Sequence, residues 1–277
     1  MRTSKFHRGL AGLAILVSSA VATPAFAQEE EASPPVTVSG SVGLVSDYRF
    51  RGVSQSDEGM ALQGGFTIGH ESGFYVGTWG SNLAGWGTFG GPNLELDIFA
   101  GYATKIGDAD IDVGVTWFMY PSGADETDFF EGYAKISGTA GPVTLTAGVF
   151  YAPKQFALSN QSNTTFSRGQ KTDNLYISGD ASFEIPSTPV SINAHIGASD
   201  GNPGLGPNGT SIAPIGRYAD WSIGASVNVY GPLTVSVSYV DTDIGRAESA
   251  YLLPGFATTG GNPIADATVV FAVTAEF

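Results

Sequence analysis

Cysteine is absent from the 277-residue sequence, which excludes disulfide bridges and any chemistry that needs a thiolate. Basic residues are also scarce, with 12 Lys and Arg against 26 Asp and Glu. Proteins that bind nucleic acid need basic surface to displace counterions from phosphates, so this charge balance excludes that partner. Beyond the N-terminal residues, no apolar run approaches the roughly 18 residues of a membrane-spanning helix. These absences argue against a disulfide-rich domain, a nucleic-acid binder and a helical membrane protein.

The first 27 residues have the features of a secretory signal peptide. Arg2, Lys5 and Arg8 precede a short apolar run from 10 to 17, and the small residues of "AFA" end at Ala27. A basic segment, an apolar segment and a small-residue site in this order predict cleavage after Ala27 and export from the cytoplasm. Removing residues 1–27 removes three of the 12 basic residues and none of the 26 acidic ones, so the formal net charge changes from −14 to −17.

Glycine is abundant, with 38 residues, and apolar and polar residues alternate with a period of two. After a short charged lead at 28–35, the alternation recurs in twelve segments. Val143 and Leu145, for example, alternate with Thr144 and Thr146. A period of two is typical of β-strands with one apolar and one polar face. The predicted strands cover 36–50, 60–69, 73–80, 94–103, 110–120, 128–136, 143–151, 174–183, 190–199, 220–229, 233–241 and 267–277.

The connections between these segments alternate between short and long. Transmembrane β-barrels have short periplasmic turns and longer extracellular loops, whereas a β-sandwich has no reason to keep all its long loops at one end. The polar faces carry Ser, Thr, Asp and Glu with few lysines, which fits a water-filled lumen. We therefore predict an all-β fold, a transmembrane antiparallel up-and-down β-barrel of about 12 strands at residues 36–277. A secreted β-sandwich is the alternative.

The strand ends predict how the barrel sits in the outer membrane. Aromatic side chains lie near the ends of the apolar faces, as in the interfacial girdles of membrane barrels. The chain ends on "VVFAVTAEF", and the terminal Phe277 resembles the signal that the barrel-assembly machinery recognises. The predicted girdles are Tyr48, Phe50, Trp117, Tyr151 and Trp221 at the long-loop end, and Tyr102 and Phe183 at the short-turn end.

Three stretches resemble a known family: "VSDYRFRGVSQSD" at 45–57, "GFYVGTWGSN" at 73–82 and "LELDIFAGY" at 94–102. Together with the signal peptide, they resemble the TorF-type porins, also known as the Gcw_chp conserved hypothetical proteins. The resemblance is strongest over residues 36–150 and weaker after Lys154. It implies an outer-membrane barrel with a pore function and adds little about the solute.

The run "SDYRFRG" places two arginines close together in an acidic chain. Continued alternation along the first strand predicts that Tyr48 and Phe50 face the lipid interface. Asp47, Arg49 and Arg51 would then face inward near the outer mouth, because an arginine facing lipid is unfavourable. Inward arginines could form a charged constriction that sets solute selectivity, or an ion-pair network that braces the wall. Both interpretations stay open at this point.

The wall acids that such a network would need are Glu95, Asp97 and Glu131 on the polar faces. Carboxylate rings favour cations in a pore, although the same residues could simply solvate the lumen. The remaining candidates for lining the pore are Asp112, Lys135, Asp180, His195 and Asp220. The sequence therefore predicts an outer-membrane porin for passive diffusion of small hydrophilic solutes, with a preference for cations. A non-conducting structural or adhesive barrel is the alternative.

The expected partners are outer-membrane lipid and lipopolysaccharide, the barrel-assembly machinery and small solutes. No enzymatic activity, metal or cofactor is predicted. A catalytic serine needs a histidine base, and beyond the signal peptide the chain has only His70 and His195. The residues after His195 lack the serine that barrel phospholipases place beside their histidine. Two histidines without cysteine also give no zinc-binding spacing.

Overall fold

A computed structural model shows the predicted strands pairing in chain order into one closed barrel. The predicted signal peptide and all of the predicted lead except Pro35 lie outside the described residues. The structure describes residues 35–88, 91, 93–123, 127–159, 170–202, 212–252 and 255–277.

Twelve strands form the barrel, and two short strands form a separate hairpin. The barrel strands pair antiparallel with their neighbours in the chain, and β1 closes the barrel against β14. The strands are β1 (Val36–Val45), the hairpin strands β2 (Arg49–Phe50) and β3 (Val53–Ser54), β4 (Ala61–His70), β5 (Phe74–Asn82), β6 (Leu94–Ile106), β7 (Ala109–Met119), β8 (Phe129–Ala140), β9 (Val143–Gln155), β10 (Thr172–Glu184), β11 (Val190–Gly201), β12 (Arg217–Tyr230), β13 (Leu233–Thr242) and β14 (Thr268–Glu276).

The C-terminal residue takes part in closing the barrel. The amide of Gly40 donates to the carbonyl of Phe277 at 2.7 Å, and the amide of Phe277 donates to the carbonyl of Gly40 at 2.9 Å. These two bonds extend the β1–β14 ladder to the last residue. The seam is otherwise short, running from Ser41 opposite Glu276 to Val45 opposite Ala272.

The two ends of the barrel differ as the sequence predicts. Five turns of at most five residues join strands at one end, which we call the short-turn end. Six connections of nine residues or more lie at the other, the long-loop end. The described helices are a 3-10 turn at Gly85–Thr88 and α1 at Arg246–Leu252, both in long loops. Neither is long and apolar enough to cross a membrane.

The outer face of the barrel is apolar and open to its surroundings. Val38, Leu62, Ile177 and Phe271 are each more than half exposed. Outward-facing charged residues of the described strands lie at the long-loop end, among them Asp173, Asp200, Arg217 and Asp241. A wide apolar band without internal charge is what a barrel presents to lipid.

The long-loop half of the interior is filled by an apolar core. Strand residues such as Phe118 and Phe129 stack there, with ring centres 4.5 Å apart. Loop residues pack against them, including Trp86 and Phe256, whose rings meet edge to face at 5.4 Å. Other core members are Val45, Tyr48, Val53, Ala61, Leu83, Tyr120, Ala152, Ala157, Leu158, Ile212, Ala213, Tyr218, Ile244, Leu252, Ile264, Ala265 and Ala272.

The predicted environment of Tyr48 and Phe50 is wrong. Strand β1 ends at Val45, and the chain then turns into the lumen instead of continuing to residue 50. Tyr48 is 2% exposed and packs edge to face on Trp79, with ring centres 5.5 Å apart. Phe50 packs on the lumen residue Phe118 at 5.9 Å. A lumen core and a lipid girdle both accept aromatic residues, so alternation alone could not separate them.

Candidate functional site

The connection between β1 and β4, residues 46–60, enters the lumen as a hairpin, and we call it the lumen hairpin. Its strands β2 and β3 pair with each other, leaving Arg51 and Gly52 as the two turn residues. Their φ angles are 49° and 81°, and positive φ at both central residues defines a type I′ hairpin turn. A Cβ at Gly52 would lie 2.4 Å from the side chain of Thr242 on the wall. The turn therefore fits against the wall only with glycine at this position.

Asp47 accepts three hydrogen bonds from other residues of the lumen hairpin. Its Oδ2 accepts a hydrogen bond from Arg49 Nε at 2.6 Å, and its Oδ1 accepts from the hydroxyls of Ser54 at 2.6 Å and Ser56 at 3.2 Å. Arg49 Nη1 donates to the carbonyl of Asp266 in the last long loop at 2.9 Å. Arg49 thus holds the hairpin together and ties it to a loop. It forms no ion pair with the wall acids that the bracing interpretation named.

Arg51, at the tip of the hairpin, makes the contacts with the wall. Its Nη2 donates to both carboxylate oxygens of Glu131 on β8 at 2.7 Å, and its Nη1 donates to Asn174 Oδ1 on β10 at 3.0 Å. The hydroxyl of Tyr218 on β12 donates to the Arg51 carbonyl at 3.0 Å. The guanidinium also lies 4.1 Å from the ring centre of Tyr176, within the range of a cation–π contact. We call Arg51, Glu131, Asn174 and Tyr218 the Arg51 latch.

The ion pair in the latch is shielded from solvent. The side chains of Arg51 and Glu131 are 6% and 4% exposed. Burial by itself lowers the pKa of Arg51, but the charge of Glu131, with Tyr176 and Tyr218, raises it by more, and the net shift is upward. Arg51 is therefore charged. Removing one partner of such a buried pair is strongly destabilising, because the other charge is left uncompensated.

Glu95 and Asp97 are buried among residues of the apolar core, since Asp97 lies opposite Phe118 in the strand register and Glu95 accepts a hydrogen bond from Tyr120. They are 3% and 0% exposed, and the described residues provide no hydrogen-bond partner for either carboxylate oxygen of Asp97. Burial, and after it the negative charge of Glu95 and Asp97, raises the pKa of the Tyr48 hydroxyl well above its usual value. Both acids are buried in this conformation, and their role in lining a pore stays a prediction.

A small cavity lies between the hairpin and the surrounding core residues. Its volume is about 10 Å³, roughly the space for one water molecule. Its lining mixes polar groups of Gln55 and Glu95 with the rings of Phe50, Trp86 and Tyr120. Together with the core, the hairpin therefore closes this end of the lumen among the described residues.

Five ionisable side chains form an arc around the wall on the short-turn side of the latch, and we call them the mid-lumen arc. They are Asp112, Lys135, Asp180, His195 and Asp220, on β7, β8, β10, β11 and β12. Asp112 lies directly opposite Lys135 in the strand register, and Asp180 lies opposite His195. Carboxylates therefore alternate with an ammonium group and an imidazole around the wall.

Hydrogen bonds hold one side of the mid-lumen arc in place. His195 Nδ1 lies 2.7 Å from Asp180 Oδ1, and its Nε2 lies 3.2 Å from Asp220 Oδ1. The Tyr176 hydroxyl lies 2.8 Å from the same Nε2. Tyr176 thus connects the mid-lumen arc to Arg51, which lies over its ring. Both nitrogens of His195 are engaged by these groups.

The other side of the mid-lumen arc is less engaged. The Tyr75 hydroxyl donates to Asp112 Oδ1 and also contacts the Tyr133 hydroxyl. The Lys135 ammonium lies 4.8 Å from the centre of the Tyr133 ring. Among the described residues, no carboxylate lies within 4.0 Å of it. Lys135 therefore has aromatic neighbours and no direct ion pair.

The half of the lumen nearest the short turns is lined by small hydroxyl groups, and we call it the lower chamber. Ser39 and Thr139 are exposed although they face inward. Ser137 and Thr146 bond across strands at 2.8 Å, as do Thr139 and Thr144 at 2.9 Å. The lower chamber is open at the short-turn end. The mid-lumen arc forms part of its boundary at the opposite end.

The structure therefore separates the residues predicted to line the pore into four groups. Asp47 and Arg49 are buried in the hairpin, Arg51 and Glu131 belong to the latch, and Glu95 and Asp97 are buried among core residues. The fourth group is the mid-lumen arc, of which Asp220 is buried and the other members are partly exposed.

Sequence reasoning missed Tyr75, Tyr133, Tyr176, Tyr218 and Asn174, which connect these groups. Tyr133 and Tyr176 occur on predicted polar faces, and an aromatic residue there was the available signal. Within the described residues, no group of three or more His, Asp or Glu side chains is arranged to hold a metal ion.

A family model described as "Bacterial protein of unknown function (Gcw_chp)" matches residues 29–277. No curated protein matches this sequence.

Several solved barrels are similar in structure. The KdgM porin in complex with disordered oligogalacturonate is 8% identical, with 87% of this chain and 97% of that chain covered and a TM-score of 0.47. An outer-membrane channel from Pseudomonas putida F1 is 10% identical, with 92% and 100% covered and a TM-score of 0.43. The channel DcaP of Acinetobacter baumannii is 9% identical, with 87% and 97% covered and a TM-score of 0.41. The barrel assignment itself rests on the strand pairing of this chain.

Proposed function

The chain belongs to the Gcw_chp family of bacterial proteins of unknown function, and we propose that it is an outer-membrane channel for small hydrophilic solutes, closed at its outer mouth by the lumen hairpin. The observation that carries this proposal is the contrast between the two faces of the barrel. The outer face is apolar and exposed, while the wall of the lower chamber bears hydroxyls, carboxylates, Lys135 and His195. A barrel with lipid outside and water inside has this arrangement.

The orientation follows from the connections. Long loops of outer-membrane barrels face the exterior and short turns face the periplasm. The lumen hairpin would then close the outer mouth, and the lower chamber would open to the periplasm. Both barrel termini lie at the short-turn end, as expected for a strand entering from and returning to the periplasm.

In this proposal, the hairpin and the loops packed on it move to open the lumen, while the barrel wall stays closed by its own ladders. The contacts to break include the Arg51 latch and the packing of Tyr48 and Val53 in the core. The latch holds the hairpin by polar contacts, which a solute or a change in the loops can replace.

A second function is favoured by a specific observation, the filled long-loop half of the lumen. With a cavity of only about 10 Å³ beside the hairpin, the barrel could be non-conducting and serve as a structural or adhesive platform for its loops. Conductance separates the two functions.

The test is single-channel recording in planar bilayers of the wild type, Glu131→Gln, and a variant with residues 47–58 replaced by a short Gly-Ser linker. A gated channel gives rare or small openings in the wild type, more frequent openings in Glu131→Gln and sustained openings in the linker variant. Heat-modifiable migration on a gel confirms that each barrel is folded. If folded barrels of all three fail to conduct, the non-conducting platform is the better description.

A further inference from the structure

We propose that the mid-lumen arc binds small zwitterionic solutes, molecules that carry both a carboxylate and an ammonium group, at its boundary with the lower chamber. This inference rests on the proposed channel function, since it names the class of solute that the lumen accepts. It starts from two unsatisfied groups of opposite charge that lie side by side on the wall.

Lys135 is the first of these groups. It faces inward on β8, is partly exposed to the chamber, and has no ion pair or hydrogen bond among the described residues. The nearby acids Asp112, Asp180 and Glu131 act on it only electrostatically, and Glu131 is already paired with Arg51. An ammonium group has three donors, and the ring contacts of this one are with Tyr133 and Phe150. A carboxylate that enters the chamber could therefore bond to Lys135 without displacing another hydrogen-bond partner.

The carboxylates beside Lys135 are the second group. Asp180 uses Oδ1 to contact His195, and its side chain is 29% exposed. Asp112 uses Oδ1 to accept from Tyr75 and is also partly exposed. Each therefore keeps a second oxygen for a donor from the chamber. An ammonium group on a solute could bond to either one.

The Phe150 ring occupies the wall between Lys135 and Asp180. On β9, the residue opposite Lys135 is Gly148, and a Cβ there would lie 2.8 Å from the Phe150 ring and 3.1 Å from the Ser178 hydroxyl. A solute that reaches both Lys135 and Asp180 would therefore lie across this ring, whereas Asp112 lies directly opposite Lys135 in the strand register.

Charge alternation favours a solute with both charges. A lone carboxylate attracted by Lys135 is repelled by Asp112 and Asp180 on either side of it, and a lone ammonium bound to one of those acids leaves Lys135 without a partner. Charges a few ångströms apart in a partly desolvated wall interact strongly. Stacking of a sugar is also disfavoured, because the ammonium of Lys135 already lies over the Tyr133 and Phe150 rings, at 4.8 and 5.7 Å.

The experiment is a ligand-observed saturation-transfer titration on the folded, detergent-solubilised barrel. The probes are 4-aminobutanoate, butanoate, butylammonium and glucose. We expect 4-aminobutanoate to bind about tenfold or more tightly than each of the others, since it gains a second charge-assisted contact. Lys135→Gln should reduce this affinity about tenfold, and Asp180→Asn should reduce it as well.

Lys105→Gln is the matched control, because it removes the same charge from an exposed pair with Asp110 near the short turns. It should leave the affinity for 4-aminobutanoate unchanged. The inference is overturned if butanoate or glucose binds as tightly as the zwitterion, if no probe binds, or if the two lysine variants behave alike. The titration measures binding independently of conductance. A barrel that conducts ions but does not bind 4-aminobutanoate would contradict only this inference. A barrel that binds 4-aminobutanoate but does not conduct ions would contradict only the channel function.

Discussion

Glu131 on the barrel wall accepts two hydrogen bonds of 2.7 Å from Arg51 at the tip of the lumen hairpin, although 80 residues separate them in the chain. This ion pair holds the tip of a long loop inside the barrel. It also explains why an acidic chain keeps an arginine where the sequence runs "RFRG": the arginine neutralises a wall carboxylate that would otherwise be buried alone. The hairpin and the wall therefore depend on each other for stability.

Removing one partner of this pair should be costly. We expect Arg51→Met and Glu131→Gln each to lower the free energy of unfolding by about 3–5 kcal/mol, because each leaves a polar or charged partner buried without compensation. The double variant should lose less than the sum of the two. Urea unfolding of the refolded barrel, followed by tryptophan fluorescence in a double-mutant cycle, measures this coupling. Additive losses would mean that the two residues do not stabilise each other.

Asp47 should act more locally. Asp47→Ala removes the acceptor for Arg49, Ser54 and Ser56, so we expect the lumen hairpin to exchange its amide hydrogens faster while the barrel strands do not. Hydrogen-exchange mass spectrometry of residues 46–60 measures this. Asp57→Ala, which removes contacts of the hairpin with Thr259 in the last loop, is the control and should have a smaller effect.

The strands could be predicted from the sequence because one physical pattern dominates them. Lipid requires every second residue to be apolar, so Val235 and Val237 alternate with Ser236 and Ser238 whatever the rest of the chain does. The strand number and the position of the long loops follow from this pattern.

The lumen hairpin could not be predicted in the same way. Tyr48 and Phe50 continue the period of β1, so alternation cannot show that the strand ends at Val45. An Arg-Gly turn between Phe50 and Val53 is a weaker hairpin signal than Asn-Gly or Asp-Gly.

The grouping of the charged residues could not be predicted from the sequence either. Period-two alternation shows that Asp112 and Lys135 both face inward, but not that they lie opposite each other. That depends on the register between strands, which one strand does not encode.

The two faces of β13 give a direct test of the membrane assignment. Val237→Arg, on the exposed outer face, should destabilise the barrel by about 2–4 kcal/mol in lipid if it lies near the bilayer midplane. Ser236→Arg, one residue away and facing the lumen, should be tolerated. Unfolding of both variants in lipid vesicles measures the difference. Equal destabilisation would mean that the outer face of β13 does not lie in lipid.

The last residue should matter for assembly. Phe277 pairs with Gly40 through two backbone bonds and carries a ring that is 78% exposed on the outer face. Deleting it shortens the closing seam, so we expect less protein in the outer membrane and more aggregate in the periplasm. Phe277→Tyr keeps the backbone bonds and the ring and should assemble normally. Quantifying heat-modifiable protein in membrane fractions checks both, and normal levels of the deletion variant would contradict the assembly role.

The ion selectivity of the open channel depends on the charged side chains that an ion passes in the lumen. In the opened linker variant, carboxylates outnumber basic groups along the wall, and such a lumen should favour cations. Asp112→Asn with Asp180→Asn should reduce that preference, and Lys135→Gln should increase it, because each changes the charge of partly exposed groups in the mid-lumen arc. Asp110→Asn is the control: its side chain is 60% exposed near the short turns, where salt screens it, so it should have a smaller effect. The measurement is the reversal potential across a salt gradient at low ionic strength. An anion-selective pore, or equal shifts in the control and arc variants, would show that the mid-lumen arc does not set the selectivity.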